Sequence, residues 1–276
     1  MSARILTWAS ALLLAMGFPA VADEPQHVHG SDADSGVPTH QAHPVDPAPP
    51  TPTGKVVSLS LEGGGSAIAY VARPKHAVSG GILVLHEWWG LNDFIKSQAD
   101  AFAAQGYLAL AVDLYGGKVA TSPDDAGKLM NGLDAKHAAA VEKAGVAWLV
   151  KHLHGKKLVT LGWCAGGGQS LLASLGSPQS VSATVMYYGM PVTDVAQLKT
   201  LRGPLLGIWA KKDGWITPDK VDAFDKALTE AGVKHSFHSF DADHAFANPT
   251  GGRYNPPAAA EADAITQKFL ADVLKG

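Results

Sequence analysis

The 276-residue chain has a single cysteine, Cys164, so no intramolecular disulfide can form and stability must come from a packed core. Charged residues make up 17% of the chain and the formal net charge is −3, which leaves no broad basic surface to attract nucleic-acid phosphates. The apolar run from Ala9 to Phe18 falls short of the roughly twenty residues that a membrane anchor needs, so no stable membrane insertion is expected. A glycine-rich stretch, Gly166-Gly167-Gly168, is not followed by Gly-Lys-Ser/Thr, so a Walker-type phosphate site would lack its lysine. Arginine is absent between Arg73 and Arg202.

What is present suits one globular domain, with 46% hydrophobic residues. Arg4, the apolar run and Pro19-Ala20-Val21-Ala22 have the layout of a secretory signal over residues 1–22, cleaved after Ala22, which implies a periplasmic or secreted protein. Residues 23–53 are rich in Pro, Asp, His and Ser and read as a disordered linker. Its His27, His29, His40 and His43 have the chemistry to collect a soft metal ion, but a polar tether is the reading adopted, with no metal or other cofactor expected. The folded domain is then residues 54–276, expected as a monomer.

Within that domain Val56 to Leu61 and Ala67 to Val71, separated by Glu62-Gly63-Gly64-Gly65-Ser66, predict an N-terminal β-hairpin. Apolar runs at Ile82–His86, Tyr107–Val112, Leu158–Trp163, Ala183–Tyr188, Pro204–Ala210 and Val233–Phe240 read as strands. Helical patterns beginning near Asn92 or Asp93, Asp134, Ala165, Pro218 and Ala258 alternate with them. Such alternation predicts an α/β protein, a mostly parallel sheet with helices on both faces. Sites in these sheets gather at the carboxyl ends of the strands, and Glu87, Asp113, Cys164, Asp213 and His244 all follow a predicted strand end.

The strand Leu158–Trp163 runs into Cys164-Ala165-Gly166-Gly167-Gly168 and a helix. Gly162, Cys164 and Gly166 fit the G-x-S-x-G nucleophile elbow of α/β-hydrolases with cysteine in the serine position. Small neighbours are needed because the strand and helix backbones approach closely there. The turn presents the sulfur at a helix N-terminus, where free N–H groups and the helix dipole favour a thiolate and an adjacent oxyanion. A thiol of ordinary pKa is a few per cent ionised at neutral pH, so it needs a base, and the base an orienting acid. Cys164, Asp213 and His244 occur in the nucleophile, acid, histidine order of α/β-hydrolases, with Asp241 and Asp243 as rival acids. An inert buried thiol is the competing role for Cys164.

Together, His86-Glu87-Trp88-Trp89-Gly90-Leu91, Asp113-Leu114-Tyr115, Gly162-Trp163-Cys164-Ala165-Gly166-Gly167, Tyr187-Tyr188-Gly189, the Asp213 turn and Asp243-His244-Ala245-Phe246 resemble the dienelactone hydrolase family, over roughly residues 55 to 275. The resemblance implies an α/β-hydrolase fold and cleavage of a small ester or lactone through a cysteine acyl-enzyme. It implies a triad of Cys164, His244 and Asp213, with Glu87 taking the thiol proton when substrate arrives, and the N–H groups of Trp88 and Ala165 as oxyanion donors. Trp89, Tyr115, Trp163, Trp215 and Asn248 are expected around the substrate. In the family two arginines hold a substrate carboxylate, one four residues after the catalytic histidine. Here Asn248 fills that position, and the other arginine, expected after Asp-Leu-Tyr, is missing, leaving Lys118, Lys128 or Arg253 as substitutes. A thioesterase or acyltransferase on the same fold, and a secreted metal-binding protein without catalysis, are the alternative functions.

Overall fold

A computed structural model describes residues 50–274. The expected signal sequence, and the linker with its four histidines as far as residue 49, lie outside the described residues. Strands β1 (Lys55–Ser60) and β2 (Ser66–Ala72) form the expected hairpin, paired antiparallel from Lys55 with Val71 to Ser60 with Ser66. Then follow β3 (Gly80–Leu85), α1 (Asp93–Ala104), β4 (Tyr107–Val112), α2 (Pro123–Asn131), α3 (Ala135–Leu153), β5 (Leu158–Trp163) and α4 (Ala165–Gly176). The chain continues through β6 (Ala183–Tyr187), α5 (Val195–Leu198), β7 (Leu205–Ala210), α6 (Pro218–Ala231), β8 (His235–Phe240) and α7 (Pro256–Leu274).

The eight strands make one sheet in the order β1-β2-β4-β3-β5-β6-β7-β8, parallel from β4 to β8. This is the α/β-hydrolase architecture. Strands β3, β4, β5 and β7 are buried at every residue, as continuous apolar runs in a sheet covered on both faces must be. On one face Val159, Leu161 and Trp163 of β5 pack with Phe94, Ile95 and Phe102 of α1 and Ala262 and Leu270 of α7. Burial of each large side chain in that layer contributes about 1.5–3 kcal/mol. On the other face Leu83, Leu85 and Leu158 meet Val141, Val146, Leu149 and Leu153 of α3, while Trp209, Phe224 and Leu228 form the core between β7 and α6.

Helix ends follow local chemistry. Asn92 caps α1, its side-chain oxygen accepting the Ile95 N–H, and Asp134 caps α3 in the same way through His137. Pro218 opens α6 and Gly232, at φ +72°, closes it in the left-handed region. Two elements were not foreseen in the sequence: α2, within the excursion after Asp113-Leu114-Tyr115, and the single turn α5.

Candidate active site

Cys164 follows the last residue of β5 and caps α4 at φ +55°, ψ −121°, a conformation in which an L-residue is strained. The strain persists because the surroundings leave no slack. A Cβ on Gly162 would lie 2.1 Å from the Gly166 carbonyl oxygen, and one on Gly166 would lie 2.2 Å from the carbonyl oxygen of Leu85. The missing side chains therefore let the first turn of α4 seat against the end of β3. That contact brings the segment after β3, His86 to Gly90, up to the cysteine. The N–H groups of Ala165 and Trp88 lie near enough to Cys164 Sγ to lower the pKa of its thiol. They are the donors expected for an oxyanion.

His244 sits in the loop after β8, with Nε2 3.1 Å from Cys164 Sγ and Nδ1 2.6 Å from Asp213 Oδ2. Asp213, in the turn after β7, is 3% exposed, and its other oxygen accepts the backbone N–H groups of Trp215, at 2.8 Å, and Ile216, at 2.9 Å. Burial alone would raise its pKa, but the His244 hydrogen bond and these N–H groups outweigh it and hold the carboxyl below the usual carboxylate range. The rival acids stand outside: Asp241 is exposed and paired with Lys212 at 3.0 Å, and Asp243 is exposed.

Glu87 is 2% exposed, and burial pushes its carboxyl up to about 7 against a hydrogen bond donated by Asn248 Nδ2. Burial, then the nearby charge of Glu87, push the Cys164 thiol up to about 12, while the Ala165 and Trp88 N–H groups pull the other way. The sulfur therefore rests as a thiol, beside an acceptor nitrogen and a carboxyl balanced near neutrality.

Two sequence expectations are corrected here. Asn248 is turned to Glu87 instead of being left free as a pocket-lining group: its amide nitrogen donates to Glu87, its oxygen accepts the N–H and hydroxyl of Thr250, and the side chain is 3% exposed. Trp163 lines no pocket, because it is buried among Phe94, Phe102 and Tyr187 on the α1 side of the sheet. Trp88 and Trp89 meet edge to face at 5.1 Å and are half-buried, Tyr115 packs 4.7 Å from His86, and the exposed Trp215 lies 5.2 Å from the His244 ring. The Arg253 guanidinium covers Trp215 at 5.0 Å from the ring centre, whereas Lys128 pairs with Asp125 on the exposed side of α2. Tyr188, at φ +36° and fully buried, packs its ring 5.1 Å from His244, a contact that the Tyr187-Tyr188-Gly189 motif alone did not reveal. Among the described residues, no group of three or more His, Cys, Asp or Glu could hold a metal ion.

A sequence model of the dienelactone hydrolase family matches residues 68–274. "Protein usf" of Aquifex pyrophilus is 34% identical over 215 residues, covering 74% of this chain and 93% of that protein. A protein of Aquifex aeolicus, provisionally named as a carboxymethylenebutenolidase, is 33% identical over 216 residues, covering 75% of this chain and 93% of its own. Among solved structures, one from Klebsiella pneumoniae, provisionally titled a dienelactone hydrolase, superposes with a TM-score of 0.69 at 26% identity, over 79% of this chain and 98% of that one.

Proposed function

The chain belongs to the dienelactone hydrolase family and is an ester or lactone hydrolase, and from that premise we propose that Cys164 forms an acyl-enzyme with a small ester or lactone that His244 then hydrolyses. The observation that carries the proposal is the bridge made by one imidazole, 3.1 Å from the sulfur and 2.6 Å from a buried carboxylate.

Acylation begins from the thiol. As substrate arrives, Glu87 takes the proton from Sγ, and the sulfur attacks the carbonyl carbon. The oxygen becomes negative where the N–H groups of Ala165 and Trp88 converge, at the N-terminus of α4. Each such donor is typically worth about 2.7–4 kcal/mol in the transition state. The carbon–oxygen bond to the leaving group breaks, and the leaving oxygen collects the proton that Glu87 holds. In deacylation, Nε2 of His244 accepts a proton from water, the hydroxide attacks the thioester, and the imidazolium is stabilised by Asp213 through Nδ1–H. The proton then returns to the departing sulfur, and the resting thiol is restored.

Substrate choice follows from charge. With Asn248 committed to Glu87 and no arginine between Arg73 and Arg202, the two family contacts to a carboxylate are missing. Charge-assisted hydrogen bonds contribute roughly 1.5–3 kcal/mol each, so their loss lowers discrimination for an acidic substrate by about 3–6 kcal/mol. Neutral esters or lactones should be handled at least as well as carboxylate-bearing ones. We also propose that the protein is exported, on the layout of residues 1–22.

The test is single-turnover kinetics with a chromogenic acetate ester, with mass spectrometry of the quenched protein. One acetyl group on Cys164 that decays at the steady-state rate is the expected result. Full turnover by Cys164→Ala would refute it.

A further inference from the structure

His86 is 1% exposed and takes no part in the steps above, yet both of its ring nitrogens are engaged. The Leu114 N–H points at Nε2 from 3.1 Å. A backbone N–H can only donate, so Nε2 carries no proton, and in the neutral ring the proton sits on Nδ1. Burial lowers the pKa of the ring and so favours the neutral form. Nδ1 lies 2.6 Å from the Glu87 carbonyl oxygen, so Nδ1–H donates to it.

The carbonyl of Glu87 and the N–H of Trp88 belong to one peptide unit. In a trans peptide these two groups point in opposite directions within a rigid plane, and no peptide bond among the described residues is cis. Fixing the carbonyl on the His86 side therefore aims the N–H on the other side, toward Cys164, whose thiol pKa that N–H lowers. The loop that supplies the Leu114 N–H is itself held by Asp113, whose carboxylate accepts the N–H groups of Tyr115 and Gly117. Hydrogen bonds in such a chain polarise one another, so the clamp also makes the Trp88 N–H a stronger donor.

We propose that His86 is a positioning residue of the oxyanion hole: by donating from Nδ1 to the Glu87 carbonyl, it sets the plane of the Glu87–Trp88 peptide and points the Trp88 N–H at the reacting atom. The inference rests on the acyl-enzyme reading above. It gives a task to His86, Asp113 and the Leu114 N–H that needs no contact with substrate. The second donor to the same carbonyl, the Gly90 N–H at 3.2 Å, is longer and fixes the turn without replacing the histidine.

Three substitutions separate this role from that of a simple tie between β3 and β4. His86→Asn keeps a donor where Nδ1 stands and loses the Nε2 acceptor, His86→Gln reaches to the Leu114 N–H but loses the donor, and His86→Phe loses both. The measurements are kcat and KM for ester hydrolysis, and the rate of iodoacetamide alkylation of Cys164 at fixed pH, which reports the sulfur's surroundings without needing turnover. We expect His86→Asn to lose no more than about fivefold in kcat, and His86→Gln and His86→Phe to lose about a hundredfold, with KM little changed and slower alkylation. Retained kcat in His86→Gln with loss in His86→Asn, or losses confined to KM, would overturn the proposal. Should the variants fold poorly, nitrogen chemical shifts of the wild-type ring decide: a proton on Nε2 refutes the clamp. Failure of the parent reading is distinguishable, because it appears as undiminished turnover by Cys164→Ala, whatever His86 does.

Discussion

Replacing Asp213 by asparagine exchanges one oxygen for an amide nitrogen and should be at least as damaging as removing the side chain. One oxygen of Asp213 accepts two backbone N–H groups and the other accepts His244 Nδ1–H. An asparagine must keep its oxygen toward the Trp215 and Ile216 N–H groups, because turning the amide would set –NH₂ against two donors. At about 1–3 kcal/mol for each unsatisfied group, the wrong orientation is disfavoured by roughly 2–6 kcal/mol. The –NH₂ therefore faces Nδ1, which must become an acceptor, and the ring proton moves to Nε2. That nitrogen can no longer take a proton from water. At about 1.4 kcal/mol per decade, deacylation should slow by about 10¹·⁵ to 10⁴. Glu87 remains to serve acylation, so the variant should release one equivalent of alcohol in a burst and then stall as the acetyl-enzyme. Asp213→Ala leaves the imidazole free to choose its tautomer and should turn over no more slowly. Stopped-flow release of a chromogenic alcohol, with mass spectrometry of the stalled protein, measures both quantities. Steady-state turnover by Asp213→Asn within tenfold of wild type would refute the tautomer argument, and loss of the burst itself would move the acylation base from Glu87 to His244.

The burst rate should rise with pH through about 7, because Glu87 must be ionised to take the thiol proton and burial has raised its pKa to about that value; Glu87→Gln should remove the burst, and a pH-independent burst in wild type would contradict the assignment. For Glu142, 3% exposed on α3 with one oxygen lacking a hydrogen-bond partner, burial raises the pKa to about 8. The unfolded chain releases that proton near its ordinary value of 4.5, so stability is greatest below this pH and falls as pH rises toward 8, by a total on the order of 5 kcal/mol. Glu142→Gln should therefore raise the melting temperature more at pH 8.5 than at pH 5, as calorimetry would show; an equal shift at both would count against it. Gly162→Ala should unfold the elbow or abolish activity, since its Cβ would overlap the Gly166 carbonyl oxygen, and a fully active, equally stable variant would contradict the packing described.

Much of this arrangement was legible in the sequence because it is local. The strand Tyr107–Val112, the elbow at Cys164 and the helix from Pro218 each declare themselves within a few residues, through periodicity, glycine spacing or a capping residue. Trp163 was legible too, had strand alternation been applied strictly: it shares a face of β5 with Val159 and Leu161 and follows them into the core. What stayed hidden depends on partners far apart in the chain. Nothing around Asn248 announces that it binds a carboxylate 161 residues earlier, and nothing around His86 announces Leu114. The strand order, with β3 beside β4, brings His86 to Leu114, and the crossover connections leave no trace of that order in the sequence.

The two halves of the chemistry hang from parts of the sheet that differ in tenacity. Cys164 follows β5, which has a neighbour on each side, whereas His244 follows β8, which pairs with β7 alone and alternates polar residues along its length. Edge strands with few buried contacts open at a lower free energy than the centre of a sheet. Warming would thus release the imidazole from the sulfur while the remaining strands hold, giving a folded protein with an intact thiol and no base. Inactivation would then precede unfolding, with the durability of the enzyme set by the edge strand β8.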